Sequence, residues 1–313
     1  MANAEPEFRP RPMSRRSWTV VGAIALVVVV LYFLVAHFYN AEGVLTSTDN
    51  VGPTDNGVSV VIEPMAVDAQ INQARVDLRF RTGDPDLAEA DGRLTENIRV
   101  VITSASGATE LRFPAGTIPT QDSVALGLDG EVAQYPFDVH SGGGDITADT
   151  YTRNSDGTFT SKEQLFVSAS ATGGVNGWDT AITIDELPAS VSVGMTFQRA
   201  FSTQVFALLI LVLAVVLAVL ALVAGLLVHS RRRKAEVALL SWAAALLFAL
   251  PALRNYMPNA PPIGASIDIY VFLWVMVAAV VAAGLVTLAW ITQSGRPGPA
   301  HVVASGENDV HAT

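Results

Sequence analysis

Four long apolar stretches, one ahead of a polar block of about 160 residues and three behind it, constrain this chain more than any other feature. They cover residues 18–38, 205–229, 237–253 and 267–291. Each lies near the ~20 residues that carry a helix across ~30 Å of hydrocarbon at 1.5 Å per residue. The expected fold is a membrane protein with four transmembrane α-helices and an all-β, sandwich-like extracytoplasmic domain between helices 1 and 2.

Positive charge orients these stretches. Arg9, Arg11, Arg15 and Arg16 precede the first, Arg231, Arg232, Arg233 and Lys234 fill the turn between the second and third, and Arg296 follows the fourth. Basic flanks stay on the cytoplasmic side. The expected localisation is therefore the plasma membrane, multi-pass, with both termini cytoplasmic. The first stretch reads as an uncleaved anchor, because its apolar run exceeds that of a signal peptide and Ala36-His37-Phe38 offers no small-x-small cleavage site. The expected divisions are a cytoplasmic tail (1–17), helix 1 (18–38), a Gly/Asn/Asp-rich tether (39–57) and the β domain (58–201). Helix 2 (205–229), helix 3 (237–253), a Pro-rich outer hairpin (254–266), helix 4 (267–291) and a second cytoplasmic tail (292–313) follow.

The net charge of −10 is concentrated in the polar block, where residues 39–201 hold 23 Asp and Glu against 9 Arg and Lys. Such a surface repels phosphate backbones, so no nucleic-acid partner is expected. The chain has no cysteine, which removes disulfides, thiolate metal sites and cysteine nucleophiles.

Within the block, short β-branched runs alternate with turn signals. The expected strands are 58–62, 74–81, 98–103, 110–113, 124–128, 135–139, 145–152, 163–169, 178–184 and 191–197. Between them stand breakers such as Gly83-Asp84-Pro85, Gly142-Gly143-Gly144 and Gly173-Gly174. Val76, Leu78 and Phe80 share one face of their strand, with Arg75, Asp77 and Arg79 on the other.

Three constellations invite chemistry. Asp138, His140 and Ser141 fall within four residues, but catalytic triads are assembled from distant segments and no Gly-x-Ser-x-Gly elbow occurs. The favoured reading is a strand start at which Tyr135 and Phe137 pack inward. The acidic run Asp84, Asp86, Glu89, Asp91, Gly92 departs from the spacing of a calcium loop. It reads as a solvated loop. Arg254 and Asp268 stand at the outer ends of the third and fourth stretches, where an ion pair can clasp the hairpin that carries Pro258, Pro261 and Pro262. No ionisable residue lies deep inside the stretches, which argues against an autonomous transporter.

Tyr135-Pro136-Phe137-Asp138, Asn176-Gly177-Trp178-Asp179, and the hairpin Leu253-Arg254-Asn255 with Pro258, Ala260-Pro261-Pro262-Ile263-Gly264 and Asp268 are distinctive together. With the one-plus-three layout they resemble the DUF4436 family of mostly actinobacterial membrane proteins, over about residues 18–292. That resemblance implies architecture and no activity. In this family a basic residue is expected directly after Tyr-Pro-Phe-Asp. Here Val139 stands there and His140 follows, which counts against a pairing of Asp138 with its immediate neighbour.

The expected function is that of an accessory, binding or sensing component that presents an acidic β domain to the cell envelope. The alternative is an envelope hydrolase with a carboxylate-based site in that domain, and a channel or transporter subunit ranks behind both. No catalytic, cofactor-binding or metal site is expected. The residues singled out are the ion pair Arg254–Asp268 and the binding or structural motif Tyr135, Pro136, Phe137, Asp138 and Trp178. The expected partners are the lipid bilayer and either an envelope protein or a second copy of the chain.

Overall fold

The computed structural model describes residues 57–187, 189–259 and 261–294, together with eight positions, each helical, between residues 19 and 37. The chain divides into two compact units, residues 1–132 with 136–205 and residues 133–135 with 206–313.

In the first unit, alternation of apolar and polar residues gives most strands one inward face. The strands are β1 (Val58–Asp68), β2 (Gln73–Arg81), β3 (Ile98–Ser104), β4 (Gly107–Phe113) and β5 (Asp122–Gly130), then β6 (Val139–Arg153), β7 (Phe159–Leu165), β8 (Val167–Ala171), β9 (Trp178–Leu187) and β10 (Ser190–Arg199). They form one ten-stranded sheet in the order β4-β3-β6-β5-β2-β1-β8, with β7 and β10 also paired to β6 and β9 paired to β10. The sheet is mixed, since β1 and β8 run parallel.

This corrects the expected sandwich. β5 pairs with β2 through Asp122–Gly127 and then with β6 through Leu128–Gly130, so one strand joins what a sandwich keeps as separate sheets. The continuous sheet folds over on itself. Ile62, Val76, Leu78, Val124 and Leu126 thereby meet Ile102, Ile146, Val193 and Met195 around a residual cavity of about 10 Å³.

The Gly142-Gly143-Gly144 run is also corrected. Instead of separating two strands it lies inside β6, which hydrogen-bonds to β3, β5, β7 and β10 along its 15 residues. A Cβ at Gly142 would sit 2.3 Å from the Gly127 carbonyl oxygen, one at Gly143 2.0 Å from that of Val193, and one at Gly144 2.7 Å from that of Thr103. The missing side chains let three neighbours approach one strand, which is a role for strand glycine distinct from turning. The expected strand at 135–139 is instead a turn and bend that follows a 3-10 helix (Val132–Gln134), with β6 beginning only at Val139.

The second unit contains α1 (Phe201–His229), α2 (Val237–Asn255), and a π-helical turn (Asp268–Phe272) that continues into α3 (Leu273–Ser294). Many of its buried positions are small, Ala207, Ala214, Ala218 and Ala221 on α1 and Ala279 and Ala282 on α3, and they pack with larger residues such as Ile210, Leu211, Val275, Leu246 and Leu250. A Cβ at Gly225 would lie 3.0 Å from the Ala282 carbonyl oxygen, so the backbones of α1 and α3 approach closely there.

Among the described residues, three helices are long and apolar enough to cross a membrane, and all three follow the β unit. The expected arrangement of four spans with the β domain between the first and second is overturned: the described residues show a ten-stranded mixed sheet followed by three long apolar helices. The stretch expected as helix 1 lies, except for the eight positions above, outside the described residues.

Candidate functional site

On β10, the inward positions Val191, Val193, Met195 and Phe197 are buried, and the same alternation brings Arg199 inward at the strand's last residue. Its guanidinium is 1% exposed. A cation there needs a fixed counter-charge, because desolvating it alone is prohibitive. Asp138, wholly buried, supplies it. Arg199 Nε donates to Asp138 Oδ1 at 2.9 Å, and Nη2 donates to Oδ2 at 3.1 Å.

Two residues on, His140 shares the inward face with Asp138, as period-two geometry requires. Its Nε2 donates to Asp138 Oδ2 at 2.9 Å, and its Nδ1 lies 3.1 Å from the Asn72 side-chain amide. Asn72 is held in the left-handed region, φ 51°, in the turn between β1 and β2. The imidazole also meets the Trp178 ring edge-on, with centroids 5.7 Å apart, and the Arg199 guanidinium lies 4.2 Å from the Trp178 ring centroid. Trp178 opens β9 directly opposite Arg199 in the ladder. Gly130, across from His140, leaves the ring its space, since a Cβ there would stand 2.3 Å from Nδ1.

The result is a carboxylate saturated by a guanidinium and an imidazole, roofed by an indole. Burial opposes ionisation of Asp138, but the hydrogen bonds from His140 and Arg199 and the guanidinium charge outweigh it and hold its carboxyl below the usual range. Ser141 faces the opposite, exposed side, so the Asp-His-Ser grouping does not converge. All three charged or titratable members are shut off from solvent, which makes the cluster a clasp and gives a substrate no approach.

The motif Tyr135-Pro136-Phe137-Asp138 is divided by the fold. Tyr135 is buried within the helical unit, where its hydroxyl donates to the Pro258 carbonyl at 3.0 Å. Phe137, expected to pack inward, is 55% exposed. In the same unit Arg254 grips Asp268 through two parallel bonds, Nε to Oδ1 at 3.0 Å and Nη2 to Oδ2 at 2.8 Å. Nη2 also donates to the Pro262 carbonyl, and the Gly264 amide donates to Asp268 Oδ2 at 2.9 Å. One ion pair thus ties α2, the Pro-rich hairpin and the start of the π turn.

Two carboxylates of the acidic loop are engaged within the protein. Asp84 accepts from the Asp86 and Gly57 amides, and Asp91 pairs with Arg93. Among the described residues no group of three or more His, Cys, Asp or Glu side chains is placed to hold a metal ion.

Arg199 escaped the sequence reading, as did the pairing of His140 with Asp138. The signals were present: an arginine at an inward position of β10, and an Asp-x-His spacing that puts both side chains on one face. What the spacing lacks is the partner, 61 residues away.

Residues 48–197 match the family model described as Domain of unknown function (DUF4436), and residues 199–293 match the model described as Domain of unknown function (DUF8686). No curated protein matches the chain.

Proposed function

We propose that this chain, whose residues 48–197 match the DUF4436 family model, is an integral membrane protein that presents an acidic β domain to the cell envelope and acts there by binding or sensing, with no catalytic step. The reading rests on exposed aromatic residues at two levels of the helical unit. Tyr256, Tyr270 and Trp274 mark one level, and Trp242 and Trp290 mark the other. Trp274 and Trp290 are 16 residues apart and Tyr270 and Trp290 are 20, or roughly 24–30 Å along a helix axis. That interval matches the hydrocarbon thickness whose borders attract Trp and Tyr. Between the two levels the helices expose Val212, Val216, Val219, Phe248, Val277, Val280 and Val281, a surface suited to lipid.

Arg231, Arg232, Arg233 and Lys234 support a cytoplasmic position for the turn between α1 and α2, since basic flanks stay on that side. The opposite end of α1, which continues directly from β10, then lies outside. An acidic domain in that position favours cationic or neutral partners and disfavours anionic polymers.

The test is topological. The protein should stay with membranes through an alkaline carbonate wash. A membrane-impermeant maleimide should label Ser155→Cys, in an exposed turn of the β unit, in intact cells and should reach Ser230→Cys only after lysis. Release by the wash, or labelling of Ser230→Cys in intact cells, overturns the reading.

A further inference from the structure

The turn that joins α1 to α2 is more than a run of positive charge. Its backbone is locked: the Arg231 amide donates to the Val228 carbonyl at 3.0 Å, and the Arg232 and Arg233 amides donate to Leu227 at 3.1 and 3.3 Å. Arg231 itself takes the left-handed conformation, φ 58°, that closes a helix C-terminus. From α3, Gln293 grips both sides of the turn, its Nε2 donating to the Val228 carbonyl at 3.1 Å and its Oε1 accepting from the Ala235 amide at 2.9 Å.

All four cations of this fixed turn are exposed, and none is ion-paired among the described residues. Two other arginines contrast with them: Arg254, in the last turn of α2, is spent on Asp268, and Arg199, at the end of β10, on Asp138. Trp242 and Trp290, both exposed, stand within about two helical turns of the basic residues or of Gln293. Indole rings settle at the carbonyl and headgroup level of a bilayer, and that places the four cations at the depth of lipid phosphates.

We infer that residues 230–235, held by Gln293 and flanked by Trp242 and Trp290, form a binding site for the phosphate group of an anionic membrane lipid. Arginine supplies forked donors that match phosphate oxygens, and three of the four cations are arginine. The inference rests on the membrane reading above and adds the chemistry of the lipid that the inner end of the helices retains.

Full-length protein is reconstituted into vesicles of phosphatidylcholine, alone or mixed with phosphatidylglycerol, and then extracted in mild detergent. The co-purifying lipid is identified by native mass spectrometry. Wild-type protein should retain phosphatidylglycerol over phosphatidylcholine by about tenfold or more, as expected where each basic residue adds to headgroup attraction. The preference should fall severalfold in about 1 M salt, where the screening length shrinks to ~3 Å. Changing Arg231, Arg232, Arg233 and Lys234 together to Gln should abolish it. Because that variant can also disturb insertion, the salt dependence of the unaltered protein is an independent arm. Equal retention of both lipids by wild-type protein that still floats with the vesicles overturns the lipid site and leaves the membrane reading standing. Displacement of the lipid by millimolar inorganic phosphate would assign the turn to free phosphate and overturn the lipid site. Failure to float with either vesicle overturns both readings.

Discussion

Asp138 is the residue on which the β unit's polar interior depends, because it satisfies a guanidinium and an imidazole at once. Asp138→Asn would leave Arg199 buried without a counter-charge. Breaking such a pair from one side costs about 3–5 kcal/mol, and thermal unfolding of the detergent-solubilised chain should show a correspondingly large drop. Replacing Asp138 and Arg199 together should cost much less than the sum of the single changes, since the two act as one unit. The same carboxylate makes stability depend on pH. Its folded pKa lies below the ordinary 3.8, so its contribution is complete above that value and is lost as pH falls through the folded value. Asp149, where bonds from Arg99 and Ser161 overcome burial, shifts in the same direction. The melting temperature should hold between about pH 7 and 5 and fall steeply below about pH 4. In Asp138→Asn that fall should be shallower, and an unchanged slope would remove Asp138 as a source.

Two elements carry predictions of their own. β3, β5 and β10 approach the centre of β6 closely because Gly142, Gly143 and Gly144 carry no side chains there. Gly143→Ala, with a Cβ 2.0 Å from the Val193 carbonyl oxygen, should destabilise by about 1–3 kcal/mol. Gly284→Ala in α3, where a Cβ meets nothing within 4 Å, should leave the melt unchanged or raise it, since alanine is the better helix former. Equal effects would mean that crowding around β6 is not what selects glycine. In the helical unit, Asp268→Asn should cost about 1–3 kcal/mol, because Arg254 and Asp268 are both largely buried. Arg254→Gln should then cost much less in that background than alone. Simple additivity would show that the two side chains do not support each other.

For the whole molecule, the division into two units predicts that residues 57–200, expressed alone, fold cooperatively with a β-type far-ultraviolet spectrum. The excised segment retains Asp138, His140, Trp178 and Arg199, and with them the clasp that closes the sheet. A helical spectrum, or no cooperative melt, would show that the β unit depends on the helices.

The three helices were legible in the sequence, because a helix satisfies its own backbone and an unbroken apolar run of about 20 residues needs no distant partner to declare itself. The β character of the first unit was legible for the same local reason, period-two alternation between turn signals. Four expected spans became three described helices, all behind the sheet, because apolar length alone says how a segment can behave and not how the elements are arranged. Other features depended on residues far apart in the chain. Whether three glycines make a turn or the centre of a strand depends on Val193, Gly127 and Thr103, which only the folded sheet brings within reach. Asp138 and Arg199 acquire their meaning from each other, since a buried charge is stable only where another part of the chain delivers its counter-charge. Periodicity placed each side chain on the inner face of its own strand; the register of β6 against β10 decided that they meet.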